Sequence, residues 1–267
     1  MAKITILGTG DAFVTHCYNT CYTIETDKGM MLVDAGGGNG ILAQFEKAKI
    51  DLSRIQDMFV THAHTDHILG TIWVIRRVMM LMNSGKYTGT FNVYGHDKVI
   101  NVIDTICRLT LKAKDLKHLG SGVILNEITD GQKLQAAGME LTCFDIHSPK
   151  EKQFGYSAIL PNGKRLVCLG DEPYNSTVEA YAKGADYLMH EAFCLYDDRE
   201  IYKPYEKNHS TALDAGKNAA ALGVSTLIMY HTEDHTLSTR KQTYSAEAAT
   251  VFNGQILVPD DLEIIEL

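Results

Sequence analysis

The sequence predicts one four-layer α/β (α+β) domain, with two β-sheets packed face to face and helices covering their outer faces. Two observations carry this. Both halves of the 267-residue chain open with consecutive short β-rich runs, at 3–34 and 139–169, and then pass into alternating helices and strands. Elements in that order bury their apolar faces in layers around a shared core. In addition, no Pro/Ser/Gly linker, low-complexity tract or charge block interrupts the chain, so residues 1–267 are read as a single domain. A doubly wound parallel sheet is the competing architecture, and the two sets of consecutive strands speak against it.

The elements follow in order. "KITILGTG", "CYTIET" and "MMLVDAGGG" are strand-like runs closed by Gly or Asp turn signals. "ILAQFEKAKI" has helical periodicity, and "DMFVTH" reads as a buried strand ending in histidine. Residues 70–83 and 97–112 read as helices, with the strand "FNVYG" between them. The second half resumes with "ELTCFDIH", "FGYSAIL" and "KRLVCLGD", with turns at Pro149, Gly163 and Gly170. A helix at 175–183, the strand "DYLMHEA", the helix "TALDAGKNAAALG" and the strand "TLIMYH" come next. A helix at 239–252 leads into a closing strand, "GQILV".

Composition limits the function classes. With 45% apolar and 22% charged residues, the chain has the balance of a globular protein. A formal charge of −8 gives no global attraction for nucleic acid or an anionic membrane. The six cysteines form no C-x-x-C pair and are expected to be reduced thiols, which suits a cytoplasmic protein. The most apolar window, "ILGTIWVIRRVMMLM", holds Arg76 and Arg77 and is too short to span a bilayer. It is read as a buried helix that also offers a pocket wall or a dimer face.

Polar residues fall where apolar strands end: Asp11, Asp34, His62, His147, Asp171, His190 and His231. Strand ends project side chains from a rigid element into a loop-lined mouth, where sites are built. The densest group is "THAHTDH", which places His62, His64, Asp66 and His67 within six positions. In an extended segment alternate residues share a side, so His62 and His64 can grip one ion. Asp66 and His67, where the chain turns toward the helix after Gly70, can face a second ion. Imidazole with carboxylate suits zinc, iron or manganese better than calcium or magnesium. Four such groups exceed what one catalytic ion needs, so two divalent ions are expected, zinc first.

This signature resembles that of the metallo-β-lactamase superfamily, whose fold is the four-layer αββα sandwich with a dinuclear site. "LVDAGGG" is a further shared element. The resemblance supplies the remaining ligands: His147 in "CFDIHSP", Asp171 in "VCLGDEP" and His231 in "LIMYHTED". It implies that His62, His64 and His147 hold the first ion, that Asp66, His67 and His231 hold the second, and that Asp171 bridges them. A water shared by two such ions loses its proton near neutrality and becomes the nucleophile. Asp66 is then expected to orient it as well as bind metal.

"MHEAF" at 189–193 and "NHSTALDAG" at 208–216 resemble a motif pair of the ribonuclease Z branch and its phosphodiesterase relatives. By that resemblance His209 is the general acid that protonates the departing oxygen, and Glu191 orients it. His16 and Ser210 are candidates for substrate contact. Ribonuclease Z usually carries an arm that grips transfer RNA, inserted between the ligands corresponding to His147 and Asp171. Residues 148–170 have room only for two strands and their turns. The expected substrate is therefore a small or cyclic phosphodiester or nucleotide, with RNA the weaker candidate. Lactone, ester or thioester hydrolysis and a non-enzymatic metal protein are the alternatives. Related enzymes are often dimers, so the resemblance also implies a homodimer. Elsewhere, Asp34 is expected to brace the ligand loop, His96 to cap a helix, and His118 and His235 to be solvated.

Overall fold

The computed structural model describes residues 2–267. Its strands are Ala2–Gly8 (β1), Cys21–Thr26 (β2), Gly29–Val33 (β3), Ile55–Phe59 (β4), Phe91–Gly95 (β5), Val123–Glu127 (β6) and Lys133–Ala136 (β7). They continue as Met139–Asp145 (β8), Phe154–Ile159 (β9), Arg165–Cys168 (β10), Tyr187–Glu191 (β11), Thr226–Tyr230 (β12), Gln255–Leu257 (β13) and Ile264–Glu266 (β14). The helices are Gly40–Lys47 (α1), Thr65–Asn83 (α2), Asp97–Thr110 (α3), Ala113–Leu116 (α4), Glu179–Ala182 (α5), Arg199–Tyr202 (α6), Ala212–Leu222 (α7) and Leu237–Ala249 (α8).

Two seven-stranded sheets form, in the orders β14-β1-β2-β3-β4-β5-β6 and β13-β12-β11-β10-β9-β8-β7. Pairing is antiparallel from β14 to β3 and parallel from β3 to β6. The second sheet repeats the scheme, antiparallel from β7 to β10 and parallel from β10 to β13. The expected αββα sandwich is the observed fold.

Strand periodicity divides the core. In β3, Met31 and Val33 enter the layer between the sheets, whereas Met30 and Leu32 face the helices. Burial on both faces is why this run reads as continuously apolar. Ile4, Ile24, Phe59, Leu141, Tyr156 and Met189 fill the same inter-sheet layer. Ile68, Ile72, Ile75 and Met79, one stripe of α2, cover the first sheet. Ala212, Ala215, Ala219 and Leu222 of α7 cover the second. Helix α7 starts at a Thr211–Asp214 capping box and stops at Gly223, whose φ is 64°.

Three strands lack a sequence signal, and all three lie at sheet edges: β6, β7 and β14. An edge strand exposes one side of its ladder and carries mixed polar residues, which weakens the apolar alternation. The helix expected at 175–183 is reduced to a 3₁₀ turn and the single turn α5. The helix expected from residue 70 begins at Thr65, so Asp66 and His67 occupy its first turn. Among the described residues, no helix is long and apolar enough to cross a membrane. All six cysteines are free thiols.

Two glycines set how closely the ligand loop approaches α2. Gly36 has φ 69°, and a Cβ there would strike the Tyr18 ring at 2.4 Å. At Gly70 a Cβ would lie 1.8 Å from the carbonyl oxygen of Ala35. That obstacle is backbone and has nowhere to move, so Gly70→Ala is expected to destabilise the fold by about 3 kcal/mol. A shift of the urea midpoint measures this, and an unchanged midpoint would contradict the close approach.

Candidate metal centre and catalytic cavity

The ends of β1, β3, β4, β10, β11 and β12 meet at one rim of the sandwich. Asp34 follows β3 in a left-handed conformation (φ 53°). Its carboxylate accepts from Thr61 N, Thr61 Oγ1 and His67 Nδ1, each at 2.8 Å. This is the bracing role expected for it. The Thr61 hydroxyl, donating to Asp34, accepts from His62 Nδ1 at 2.9 Å. The Thr20 hydroxyl likewise donates to Gly10 O at 3.0 Å and accepts from His231 Nδ1 at 3.1 Å. Three imidazoles are thereby fixed with Nδ1–H outward and the Nε2 lone pair inward.

That arrangement is how metal-ligating histidines are held. The three Nε2 atoms of His62, His231 and His67 lie 3.6, 3.7 and 4.0 Å from Asp171 Oδ2. His67 Nε2 is buried and has no hydrogen-bond partner among the described residues. His64 Nδ1 stands 2.9 Å from His62 Nε2, and Asp66 Oδ2 stands 3.2 Å from His67 Nε2. The donors therefore gather as two sets, His62–His64–Asp171 and Asp66–His67–His231, each within 4.8 Å. Gln153 pins Asp171 by donating from Nε2 to Oδ1 and accepting from Asp171 N at 2.8 Å.

The electrostatics agree. Burial drives the His62 ring well below its ordinary value and His231 down to about 3, so both are neutral donors. Burial opposes ionisation of Asp171, but the imidazoles that face its Oδ2 and the positive charge of Lys150 together outweigh it and hold the carboxyl low. Burial also disfavours a charge on His67, yet Asp66 and Asp34 overcome it and raise that ring. The surroundings of His67 favour a positive charge, which a divalent cation can provide.

His147 departs from expectation. It adopts φ 58°, donates its N–H to Asp145 Oδ1 at 2.7 Å, and leaves its side chain 58% exposed, outside both donor sets. Lys150 stands beside Asp171 instead, with Nζ 3.8 Å from Oδ2 and 3.1 Å from Glu172 Oε1. Ser210 is also displaced from its expected role: it is buried, donating Oγ to Glu191 O at 3.1 Å. His16 is exposed but held to Asp234 at 3.1 Å, beside the cavity lining rather than in it. His96 occupies the position before α3 without capping it, its ring buried 5.5 Å from that of Phe154.

His209 reaches the centre. It gathers with Asp171 and His231, and its Nδ1 lies 3.5 Å from Glu191 Oε2. Burial lowers its proton affinity, but Glu191 more than reverses this, and the ring is raised above its ordinary value. Its ring stacks on Phe193 at 4.9 Å and 9°. Glu191 Oε1 accepts from Ser210 N at 2.5 Å, which sets the carboxylate behind the ring. His190 is structural: Nδ1 lies 2.6 Å from Glu191 O, and Nε2 accepts from Tyr174 N and Asn218 Nδ2.

A cavity of about 400 Å³ opens over these groups. Lys150, Lys207, Phe13 and Phe193 line it together with Asp66, Asp171, His209 and His231. Lys150, Lys207 and Phe13 were not legible in the sequence, because a lone lysine or phenylalanine in a loop carries no spacing signal, whereas Phe193 ends the "MHEAF" stretch.

Comparison with known proteins extends this picture. The family described as anti-Pycsar protein Apyc1 matches residues 2–247. A ribonuclease Z from Ignicoccus hospitalis is 28% identical, over 100% of this chain and 99% of that protein. The metallo-β-lactamase fold protein YhfI from Bacillus subtilis superposes with a TM-score of 0.77 at 20% identity, covering 100% of both chains. The short form of human tRNase Z gives 0.76 at 19% identity, over 99% of this chain and 98% of its own. At those identities the solved structures speak for the fold alone. The chain is a metal-dependent hydrolase of the metallo-β-lactamase fold, related to ribonuclease Z, and it belongs to the anti-Pycsar protein Apyc1 family.

Proposed function

We propose that the chain is a phosphodiesterase acting on a small, nucleotide-sized or cyclic phosphodiester at a dinuclear centre. The observation that carries this is the convergence of five further donors on Asp171, with a raised histidine, His209, beside them in a cavity that Lys150 and Lys207 also line. His62, His64 and Asp171 would hold one divalent ion, and Asp66, His67 and His231 the other, with Asp171 reaching both. Zinc suits the N/O donor set, with manganese or iron also compatible. Such ions would supply a Lewis acid and an activated water.

The chain's own residues do the rest. Lys150 and Lys207 offer positive charge to nonbridging phosphate oxygens. Asp66, which lines the cavity, would orient the attacking water. As the water, having released one proton to solvent, adds its oxygen to phosphorus and the bond to the leaving oxygen breaks, His209 delivers a proton to that oxygen and is reprotonated from solvent. Glu191 holds the donor ring in place. Residues 148–170 form a loop and the β9–β10 pair, which leaves no arm there for a large RNA.

Metal analysis combined with a substrate panel tests this reading. The expected result is two equivalents of transition metal per chain, with turnover of cyclic nucleoside monophosphates or short diesters. Turnover restricted to lactones or thioesters would replace the phosphodiesterase reading with that of an ester hydrolase.

A further inference from the structure

The loop between β1 and β2 carries Phe13 with 93% of its surface exposed, whereas the other seven phenylalanines are all buried. Such exposure often reflects a slack loop, but this loop is tightly held. Phe13 N donates to Asp11 Oδ1 at 2.7 Å, and Asn19 Nδ2 donates to Asp11 O at 2.7 Å. Thr15 N and His16 N both donate to Asp234 Oδ2, at 2.6 and 2.7 Å. Tyr18 N donates to Asp261 Oδ2 at 2.7 Å, and Asp11 N to Thr232 O at 2.9 Å. Three carboxylates thus fix the backbone on both sides of Phe13 and keep its ring in water.

The ring also stands at the cavity, which Phe13 lines with Asp66, His209, Lys150 and Lys207. The cavity's other aromatic, Phe193, is already occupied: His209 stacks on it, and Lys207 Nζ lies 4.8 Å from its centroid. The free aromatic surface at the mouth is therefore that of Phe13. Cationic side chains inside and an unoccupied planar face outside suit a substrate whose phosphate bears a flat aromatic group.

We infer that Phe13 is a stacking platform for the nucleobase of the substrate and selects base-bearing phosphodiesters. This inference rests on the phosphodiesterase reading above. Stacking of a base on an aromatic side chain is worth roughly ten- to a hundredfold in binding. The ring has no group that can exchange a proton or bind a cation, so it contributes to binding, not to the chemical step.

Steady-state kinetics on cyclic nucleoside monophosphates, compared with the cyclic ribose phosphate lacking a base, test it. Phe13→Ala should raise KM for the nucleotides about tenfold or more with kcat unchanged, leave the base-free substrate unaffected, and keep the wild-type melting temperature. Phe13→Trp should retain wild-type KM, and its added fluorescence, measured over the background of Trp73, should be quenched on titration with a nucleoside monophosphate. An equal KM rise with and without the base, or an unquenched Phe13→Trp, would overturn the inference. If the wild type hydrolyses no phosphodiester, the phosphodiesterase reading fails, and the Phe13→Trp titration still decides the stacking role separately.

Discussion

Replacing His209 with alanine is expected to slow hydrolysis of diesters with poor, alkoxide leaving groups by roughly 10²–10⁴-fold. For p-nitrophenyl diesters the loss should be under about tenfold, because a stabilised phenolate departs without a proton. The geometry gives the reason. With Nδ1 turned toward Glu191 Oε2 at 3.5 Å, Nε2 is the nitrogen left to face substrate. Stacking on Phe193 holds the ring plane. Metal content should be unchanged, since the His62–His64–Asp171 and Asp66–His67–His231 sets form without this ring. Equal slowing across leaving groups would remove the acid role, and loss of metal would move His209 among the ligands.

An effect of comparable size is expected at Asp171. Its Oδ2 lies between the Nε2 atoms of His62, His67 and His231. Asp171→Ala should lower turnover on the order of 10³-fold or more, and metal analysis should find fewer than two equivalents. The centre also spans the sandwich: His62, His64, Asp66 and His67 come from the first sheet's side, and Asp171 and His231 from the second. Cations held there clamp the two halves together. At a free metal concentration a hundredfold above Kd, one site adds about 2.7 kcal/mol of stability. For a domain of this size that corresponds to roughly 5–10 °C in Tm. Chelation should therefore lower the melting temperature of the wild type by at least that amount and lower that of Asp171→Ala, which keeps only the Asp66–His67–His231 set whole, by clearly less. Identical responses to chelator in the two proteins would show that Asp171 holds no cation.

How much of this was legible in the sequence depended on spacing and burial. The quartet from His62 to His67 announced itself because four donors crowd into one loop and helix start. Asp171 and His231 join it only through the superfamily resemblance, because the strand-end position they occupy is shared by Asp11 and His190. His147 satisfies the same pattern, yet the backbone after β8 turns left-handed and donates to Asp145, so the ring faces solvent. A motif specifies the residue but not the φ angle that aims it. The early start of α2 was hidden because Asp66 and His67 put polar residues on a turn whose apolar stripe begins at Ile68. Lys150, Lys207 and Phe13 reach the cavity only through loop conformations that hydrogen bonds far along the chain determine.

Asp261 is one source of those bonds. Just ahead of β14, its carboxylate accepts from the Thr9 hydroxyl and the Tyr18 amide across separations of 252 and 243 residues. Closing so wide a loop is entropically costly and delays such contacts relative to local ones. The loop that carries Phe13 is therefore fastened from the far end of the chain, and its setting at the entrance depends on a segment that supplies no donor to the centre below.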